Sequence, residues 1–252
     1  KDVFDVQNTR WTHWTMDDNP ILSEERKQSI IQSLKKNPYL YKRDVLGQRV
    51  MPQGVIYGLF DLEKNIKDSL VGDPMEMYFN GDGGQSDATS MSCNIVTKHR
   101  EGGKTFFRLN RVAHYYHSGA ETGQVKAMST YAVELRAFIQ WCVSKYQMRY
   151  TDVWIDPACR SLREELHKLG IQTRGAMNNA HDVSSKAKGI EVGIERGQNI
   201  ISSGQFLLIN HSEEEYDHYY FLKEIGLYSR DDNGRPIDKD NHAMDEFRYS
   251  VN

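Results

Sequence analysis

The sequence predicts an α/β fold in which a mixed sheet is flanked by helices. Three apolar, alternating segments joined by turn signals occupy residues 75–116, which is typical of an antiparallel meander. A long helical pattern follows over residues 126–147. After it, short strand-like and helical segments alternate, and this pattern indicates parallel strands joined by crossover helices.

Length and composition are those of one sizeable domain, with or without an appendage. The 252 residues are 38% hydrophobic and 11% aromatic, which favours a packed core over disorder. A net charge of −3 is unusual for a simple nucleic-acid-binding module but does not exclude an enzyme that holds cations in an acidic pocket and binds DNA through local basic patches. The three cysteines lack paired or metal-like spacing, which indicates reduced thiols. No apolar run approaches the length of a membrane span, so we expect no membrane partner.

Residues 1–70 are predicted to be a linker or connector, because this piece is too short to hold a separate core. It contains a helix that begins after Ser23, a residue suited to the N-cap position. Residues 71–252 are predicted to form the α/β domain. The change at about residue 70 therefore divides the chain into a connector and one folded domain.

The first predicted strand of the domain alternates, with Met75, Met77 and Phe79 on one face, and it ends at Asp82. The segments 88–97 and 104–116 predict two further strands, and HREGG between them predicts a hairpin turn. The remaining elements are predicted in this order: a helix over 126–147, a strand over 152–156, a helix over 161–170, a strand over 171–176, a helix over 185–201, a strand over 206–209 and a helix over 240–250. In the helix over 161–170, Ser161 and Glu164 form a predicted capping box and Gly170 ends the helix.

Three aspartates stand out by their positions. Asp82 ends the first strand before a glycine-rich turn, Asp156 ends DVWID just before Pro157, and Asp245 lies one turn after His242 in the last helix. Three carboxylates that converge on one point repel each other unless divalent cations lie between them. Such oxygen ligands suit Mg²⁺ or Mn²⁺. Taken singly, each acid also fits an ordinary role as a turn residue, a helix cap or one half of an ion pair.

A second group of candidates is basic. Gly102, Gly103 and Lys104 look like part of a phosphate loop, but the glycine that this motif requires five residues earlier is Lys98, so a hairpin turn is expected instead. Basic residues gather at this hairpin tip and in the helix predicted over 185–201, near the second half of the sheet: Lys98, Arg100, Lys104, Lys186 and Lys188. A solvated face is the default interpretation of such charges. Beside a phosphodiester site they would contact the DNA backbone.

The chain resembles the C-terminal nuclease part of the large terminase subunits of tailed bacteriophages, which are DNA-packaging motor proteins. NGDGGQSDATS, VWIDPACRSLREEL and DKDNHAMDEFRYSV are similar to the three acid motifs of that family. WTMDDNPILSEE and YKRDVLGQRVMPQGVIYGLF are similar to the segment that joins its ATPase and nuclease halves. The resemblance implies an RNase H-like fold of the RuvC resolvase type, with residues 1–70 as the connector from an ATPase half. One departure is Gly81, where the family usually has a hydrophobic residue.

The resemblance also implies a function. It indicates a metal-dependent endonuclease that uses two Mg²⁺ or Mn²⁺ ions to cut concatemeric double-stranded viral DNA during genome packaging, with little sequence specificity. The implied partners are DNA, the portal protein and a small terminase subunit, and the implied location is the host cytoplasm. The residues that match the motifs are Asp82, Asp156 and Asp245 as metal-binding catalytic acids, His242 as an auxiliary catalytic group, and Asp87 and Asp240 as further candidates.

Other functions share some of these features. Another RNase H-fold nuclease, such as a Holliday-junction resolvase or a transposase, would share the acids but lack the connector segments. An actin-type or sugar-kinase-type ATPase has an Asp-Gly phosphate loop that DGGQSDAT matches loosely, but it needs a duplicated domain. A non-catalytic module of a packaging motor would keep the fold without needing the three acids.

Overall fold

A computed structural model describes residues 14–34, 45–47, 54–84, 88–178, 189–211, 215–231, 233–239 and 241–252. The strands in these ranges are β1 (Ile66–Lys67), β2 (Asp73–Gly83), β3 (Ala88–Glu101), β4 (Lys104–Ser118), β5 (Tyr150–Ile155), β6 (Arg174–Gly175) and β7 (Phe206–Ile209). The helices are α1 (Glu24–Leu34), α2 (Leu62–Asn65), α3 (Gly119–Thr122), α4 (Met128–Tyr146), α5 (Arg160–Lys168), α6 (Ile190–Ser202), α7 (Tyr219–Ile225) and α8 (His242–Ser250). The strands make one mixed sheet in the order β1-β7-β4-β3-β2-β5-β6.

Strands β2, β3 and β4 form the predicted antiparallel meander. Gly102 and Gly103 make the turn of its hairpin with φ values of 55° and 78°, which glycine adopts without a steric penalty. The predicted hairpin turn is therefore confirmed. Met77 and Phe79 are fully buried as expected, but Met75 is 54% exposed. The prediction for Met75 is wrong because the β2–β3 register shifts between Pro74 and Glu76.

One face of the sheet packs on α4 and α5. Phe79 of β2 contacts Phe138 of α4 edge to face, with ring centroids 5.8 Å apart. Strand β5 returns parallel to β2 and pairs Ile155 with Gly81. The chain therefore crosses over through α4 and brings the carboxyl ends of β2 and β5 to the same edge of the sheet.

Helices α6, α7 and α8 cover the other face. Phe206 of β7, Phe221 of α7 and Phe247 of α8 pack together in this second core. Ile56, Tyr57 and Phe60 belong to the same core, and β1 pairs with β7, so part of the predicted connector packs directly on the sheet. The boundary between connector and domain at residues 70 and 71 stays a prediction.

The helix predicted over 161–170 begins earlier than its capping box suggested. Its N-cap residue is Cys159, and the helix starts at Arg160. The box prediction is wrong because the turn after Asp156 already directs the chain into the helix: Ala158 N–H donates to the Asp156 carboxylate, and the Cys159 thiol donates to the Gly83 carbonyl 2.8 Å away. Gly170, with φ of 82°, follows the end of the helix as predicted.

The other helices agree with their patterns within a few residues, and the segment predicted as a strand over 171–176 has only two residues in strand conformation. Ser23 Oγ accepts a hydrogen bond from Arg26 N–H, which confirms the predicted N-cap of α1. Within the described ranges, no helix is both long enough and apolar enough to span a membrane.

Candidate active site

Asp82 and Asp156 lie side by side at one edge of the sheet. Their strands are parallel neighbours, and Asp156 N–H donates to the Gly81 carbonyl at 3.0 Å, which extends the ladder by one bond. A side chain at Gly81 would collide with Ile155, whose Cδ1 is 2.7 Å from the Cβ position, and would also crowd Met91. Glycine therefore fits this position because neighbouring side chains already fill the space that a side chain at residue 81 would occupy.

Helix α8 brings His242 beside Asp82. The helix packs across β2 and β3, and His242 Nδ1 lies 3.1 Å from Asp82 Oδ2. His242 Nε2 accepts a hydrogen bond from Ala88 N–H at 3.4 Å, which in a neutral imidazole assigns this nitrogen as the one without a proton. The proton of a neutral His242 is then on Nδ1, where it donates to Asp82.

Asp156 is tied to the same helix through Tyr249. The Tyr249 hydroxyl donates to Asp156 Oδ2 at 2.5 Å, and Ala158 N–H donates to Oδ1 at 2.6 Å. Burial raises the pKa of Tyr249, and the negative charges of Asp82, Asp245 and Asp156 raise it further. The hydroxyl therefore keeps its proton, and it lies within electrostatic reach of all three aspartates.

Asp245 forms an ion pair within α8. Its Oδ1 accepts a hydrogen bond from Arg248 at 2.8 Å, and the Arg248 side chain is only 5% exposed. Burial raises the pKa of Asp245, Arg248 opposes this effect, and the charge of Asp82 adds to it. The i,i+3 ion pair that the sequence allowed as an ordinary role for Asp245 is therefore present, and it is largely buried.

Asp82 and Asp156 share one edge of the sheet and Asp245 lies in α8, and each contacts a different partner: Asp82 contacts His242, Asp156 contacts Tyr249 and Asp245 contacts Arg248. In the part of the chain that the structure describes, no group of three or more His, Cys, Asp or Glu side chains is arranged to hold a metal ion. The donor chemistry nevertheless fits a divalent cation, because the groups are carboxylates in partly buried positions. A cation would also offset the charge of Asp82 that raises the pKa of Asp245.

The basic residues of the hairpin tip do not adjoin these acids. Ser90 of β3 pairs with Asp82 of β2. Arg100 is ten positions after Ser90 on β3 and pairs with Thr105 next to the hairpin turn. At roughly 3.3 Å per residue, this separation is about 33 Å. Lys98 and Lys104 lie at the same far end of the hairpin as Arg100. Four other candidates fall outside the described residues: Lys186, Lys188, Asp87 and Asp240.

A buried polar network beneath the site was missed by the sequence reasoning. Arg111 of β4 forms a two-point ion pair with Glu246 of α8, and Ser90 donates to the same carboxylate at 3.4 Å. His114 also contacts Ser90, at 2.8 Å. Arg111 lies in the middle of an apolar strand, and this position could have indicated the network from the sequence because a buried charge requires a partner.

A search of solved structures finds large terminases. This chain matches the large terminase of a thermophilic bacteriophage with a TM-score of 0.60 and 22% identity, over 96% of this chain and 55% of that chain. It matches the P22 large terminase nuclease domain with a TM-score of 0.55 and 14% identity, over 80% of this chain and 92% of that domain. This chain has the fold of a large-terminase nuclease domain.

The predicted RNase H-like mixed sheet flanked by helices is thereby confirmed. This chain spans about half the length of the protein from the thermophilic phage: 55% of it in one crystal form and 53% in another, where the identity is 24% and the TM-score 0.59. No protein-family model matches the sequence, and no curated protein matches it. The likeness therefore establishes the fold of this chain, and its chemistry depends on the residues at the site.

Proposed function

We propose that this chain is the nuclease part of a phage large terminase, a metal-dependent endodeoxyribonuclease that cuts double-stranded DNA. One observation carries the proposal. Asp82 and Asp156 end adjacent parallel strands under a helix that carries Asp245, and the Tyr249 hydroxyl of the same helix donates to Asp156. A terminase nuclease fold with three carboxylates at this edge suits the hydrolysis of a phosphodiester bond.

Two divalent cations, Mg²⁺ or Mn²⁺, would be held by Asp82, Asp156 and Asp245. When bound, such ions activate water and stabilise the departing oxygen of a phosphodiester. His242 holds the Asp82 carboxylate through its Nδ1 proton, and Tyr249 holds Asp156 in the same way. Each contact orients a carboxylate that would otherwise rotate, as partners of metal ligands commonly do.

Arg248 has a different role from His242 and Tyr249, because it carries a full positive charge. It compensates the buried charge of Asp245 while no cation is bound. Cation binding would compete with this ion pair for the same carboxylate. We therefore expect that Arg248 raises the metal concentration that activity requires.

DNA would be recognised mainly through its phosphates, so cutting would be almost independent of sequence and would weaken with salt. Lys98, Arg100, Lys104, Lys186 and Lys188 are the proposed phosphate contacts. Counted along β3 from Ser90, which pairs with Asp82, Lys98 is about 26 Å and Arg100 about 33 Å away, close to one turn of duplex. A single duplex lying along the hairpin could therefore reach both the tip and the acids.

In the intact packaging protein, the substrate would be concatemeric viral DNA in the host cytoplasm. The portal protein and a small terminase subunit would be its partners there. An isolated nuclease part should need neither of them to cut a plasmid. A plasmid assay therefore tests the chemistry apart from the assembly.

The test is plasmid nicking by the purified chain with Mn²⁺, with Mg²⁺ or with EDTA. We expect cutting with a divalent ion and none with EDTA. Asp82→Asn, Asp156→Asn and Asp245→Asn should each lower the rate by at least about 100-fold, as expected for the loss of a principal electrostatic group.

The matched control is Asp152→Asn, which changes an aspartate of β5 four residues before Asp156 whose side chain pairs with Arg174 instead of a site residue. It should cut like the wild type. If the three site variants keep wild-type rates and fold normally by circular dichroism, the nuclease proposal is wrong. A strong preference for four-way junctions over linear duplex would assign the chain to the resolvase class instead.

A further inference from the structure

We infer that Glu224 is a positioning residue. It holds the first turn of α8, which carries His242 and Asp245, in a fixed position relative to Asp82 on the sheet. The inference rests on the proposed nuclease function for its catalytic consequence only. Its structural part concerns the contacts of one buried carboxylate in α7, a residue outside all three acid motifs.

Helix α8 is capped at its first turn by a residue from another helix. The N-cap residue Asn241 makes no side-chain capping hydrogen bond. Glu224 Oε2 accepts a hydrogen bond from Ala243 N–H at 2.7 Å instead. The first N–H groups of a helix need such an acceptor, and a negative charge at this end also complements the helix dipole. A residue of α7 therefore caps the helix that carries Asp245.

The other oxygen of the same carboxylate is bound to the sheet. The Tyr116 hydroxyl donates to Glu224 Oε1 at 2.7 Å. Tyr116 pairs with Ser90 across β4 and β3, and Ser90 pairs with Asp82 across β3 and β2. The tyrosine ring is stacked on Tyr220, with centroids 4.0 Å apart and planes 11° apart. Glu224 therefore connects the strand residues that pair across the sheet with Asp82 to the helical turn that carries His242.

The Glu224 carboxylate is buried, so solvent does not readily take over its two hydrogen bonds. Glu224 is 2% exposed, so water cannot readily replace the carboxylate at Ala243 or Tyr116. Removing the carboxylate would leave the Ala243 N–H without an acceptor and allow the first turn of α8 to shift. His242 is in that turn, so its hydrogen bond to Asp82 would weaken with it.

The test compares Glu224→Ala, Glu224→Gln and Tyr116→Phe. The matched control is Asp217→Asn, because Asp217 is an exposed carboxylate whose bond to Tyr219 N–H caps α7 instead of α8. The first readout is NMR of the His242 imidazole nitrogens and the Ala243 amide in the absence of metal. The second is the nicking rate as a function of Mn²⁺ concentration, with DNA affinity measured separately.

In the Ala variant we expect the Ala243 amide to lose its hydrogen-bond shift and His242 to become a mixture of tautomers. Nicking at saturating Mn²⁺ should fall by about 10-fold, within the range for partners of metal ligands, while DNA affinity stays within about twofold. The Gln variant keeps an acceptor for Ala243, so it should recover much of the rate. The Phe variant should lie between the wild type and the Ala variant.

A His242 signal in Glu224→Ala that matches the control variant would overturn the positioning role. Equal loss in the Gln and Ala variants would also overturn it, since a hydrogen bond to Ala243 would then not be the cause. If the wild type cuts no DNA, the nuclease proposal fails while the metal-free NMR readout still decides the role of Glu224. Should the Ala variant not fold, the Gln and Phe variants supply the same comparison.

Discussion

The strongest stability prediction concerns the buried ion pair that joins β4 to α8. Arg111 and Glu246 are both 0% exposed, and their two hydrogen bonds are 2.8 and 2.7 Å long. Arg111→Met leaves the Glu246 carboxylate buried without a counter-charge. Breaking such a pair costs about 3–5 kcal/mol of unfolding free energy near neutral pH. For a domain of this size, that corresponds to a fall in Tm of roughly 6–20 °C.

The pH dependence has a definite sign. Burial raises the pKa of Glu246, and Arg111 opposes that effect. Removing Arg111 therefore raises this pKa further above its ordinary value of 4.5. The folded variant then binds a proton more readily than the unfolded chain, so its stability deficit is largest at high pH and shrinks as the pH falls. The deficit should be smaller at pH 5 than at pH 8.

Urea unfolding at both pH values is the measurement, and the double variant Arg111→Met/Glu246→Leu is the control. Removing both charges replaces the ion pair with apolar contacts, which is often nearly neutral for stability. The double variant should therefore be more stable than the single variant, with little dependence on pH from this site. A single variant that costs under about 1 kcal/mol, or a double variant as unstable as the single one, would refute this reasoning.

Two further predictions test the packing around α8. Gly193→Ala places a Cβ 2.1 Å from Arg248 Cγ and 2.8 Å from its Cδ, so we expect a net loss of about 1–2 kcal/mol despite the better helix propensity of alanine. Urea unfolding beside the exposed control Glu195→Ala measures it, and a more stable Gly193→Ala would contradict the close approach of α6 and α8. Burial raises the pKa of Glu224 from 4.5 to about 7. A carboxyl with a raised folded-state pKa loses its stabilising contribution as the pH rises through that value, so wild type should lose about 3 kcal/mol relative to Glu224→Gln between pH 4.5 and pH 8. Unfolding curves across that range give the difference, and a constant difference would exclude the shift.

Local patterns in the sequence determined much of the fold. The alternation that ends at Asp82, the Gly102–Gly103 turn and the Gly170 stop depend on residues that are close together in the chain, and the structure agrees with each except at Met75, where the β2–β3 register shifts. The positions of Asp82 and Asp156 at strand ends follow from the same patterns. Their proximity required only that the two strands be parallel neighbours.

Other features depended on contacts between distant segments. The start of α5 was mispredicted because the Asp156 turn and the Gly83 carbonyl capture the chain before Ser161. The length of the hairpin places Lys98 about 26 Å and Arg100 about 33 Å from Asp82 along the strand, and the sequence positions of these basic residues do not reveal those distances. Both features are set by strand register and strand length.

By itself, the sequence determined an α/β domain with three aspartates mounted on strand ends and a terminal helix. Only the tertiary structure decided that His242 contacts Asp82, that Tyr249 contacts Asp156, and that Glu224 caps their helix from α7. The physical reason is the range of the forces involved. Backbone preferences act over a few residues, whereas a buried charge or N–H group takes its partner from whichever segment packing brings within hydrogen-bond distance.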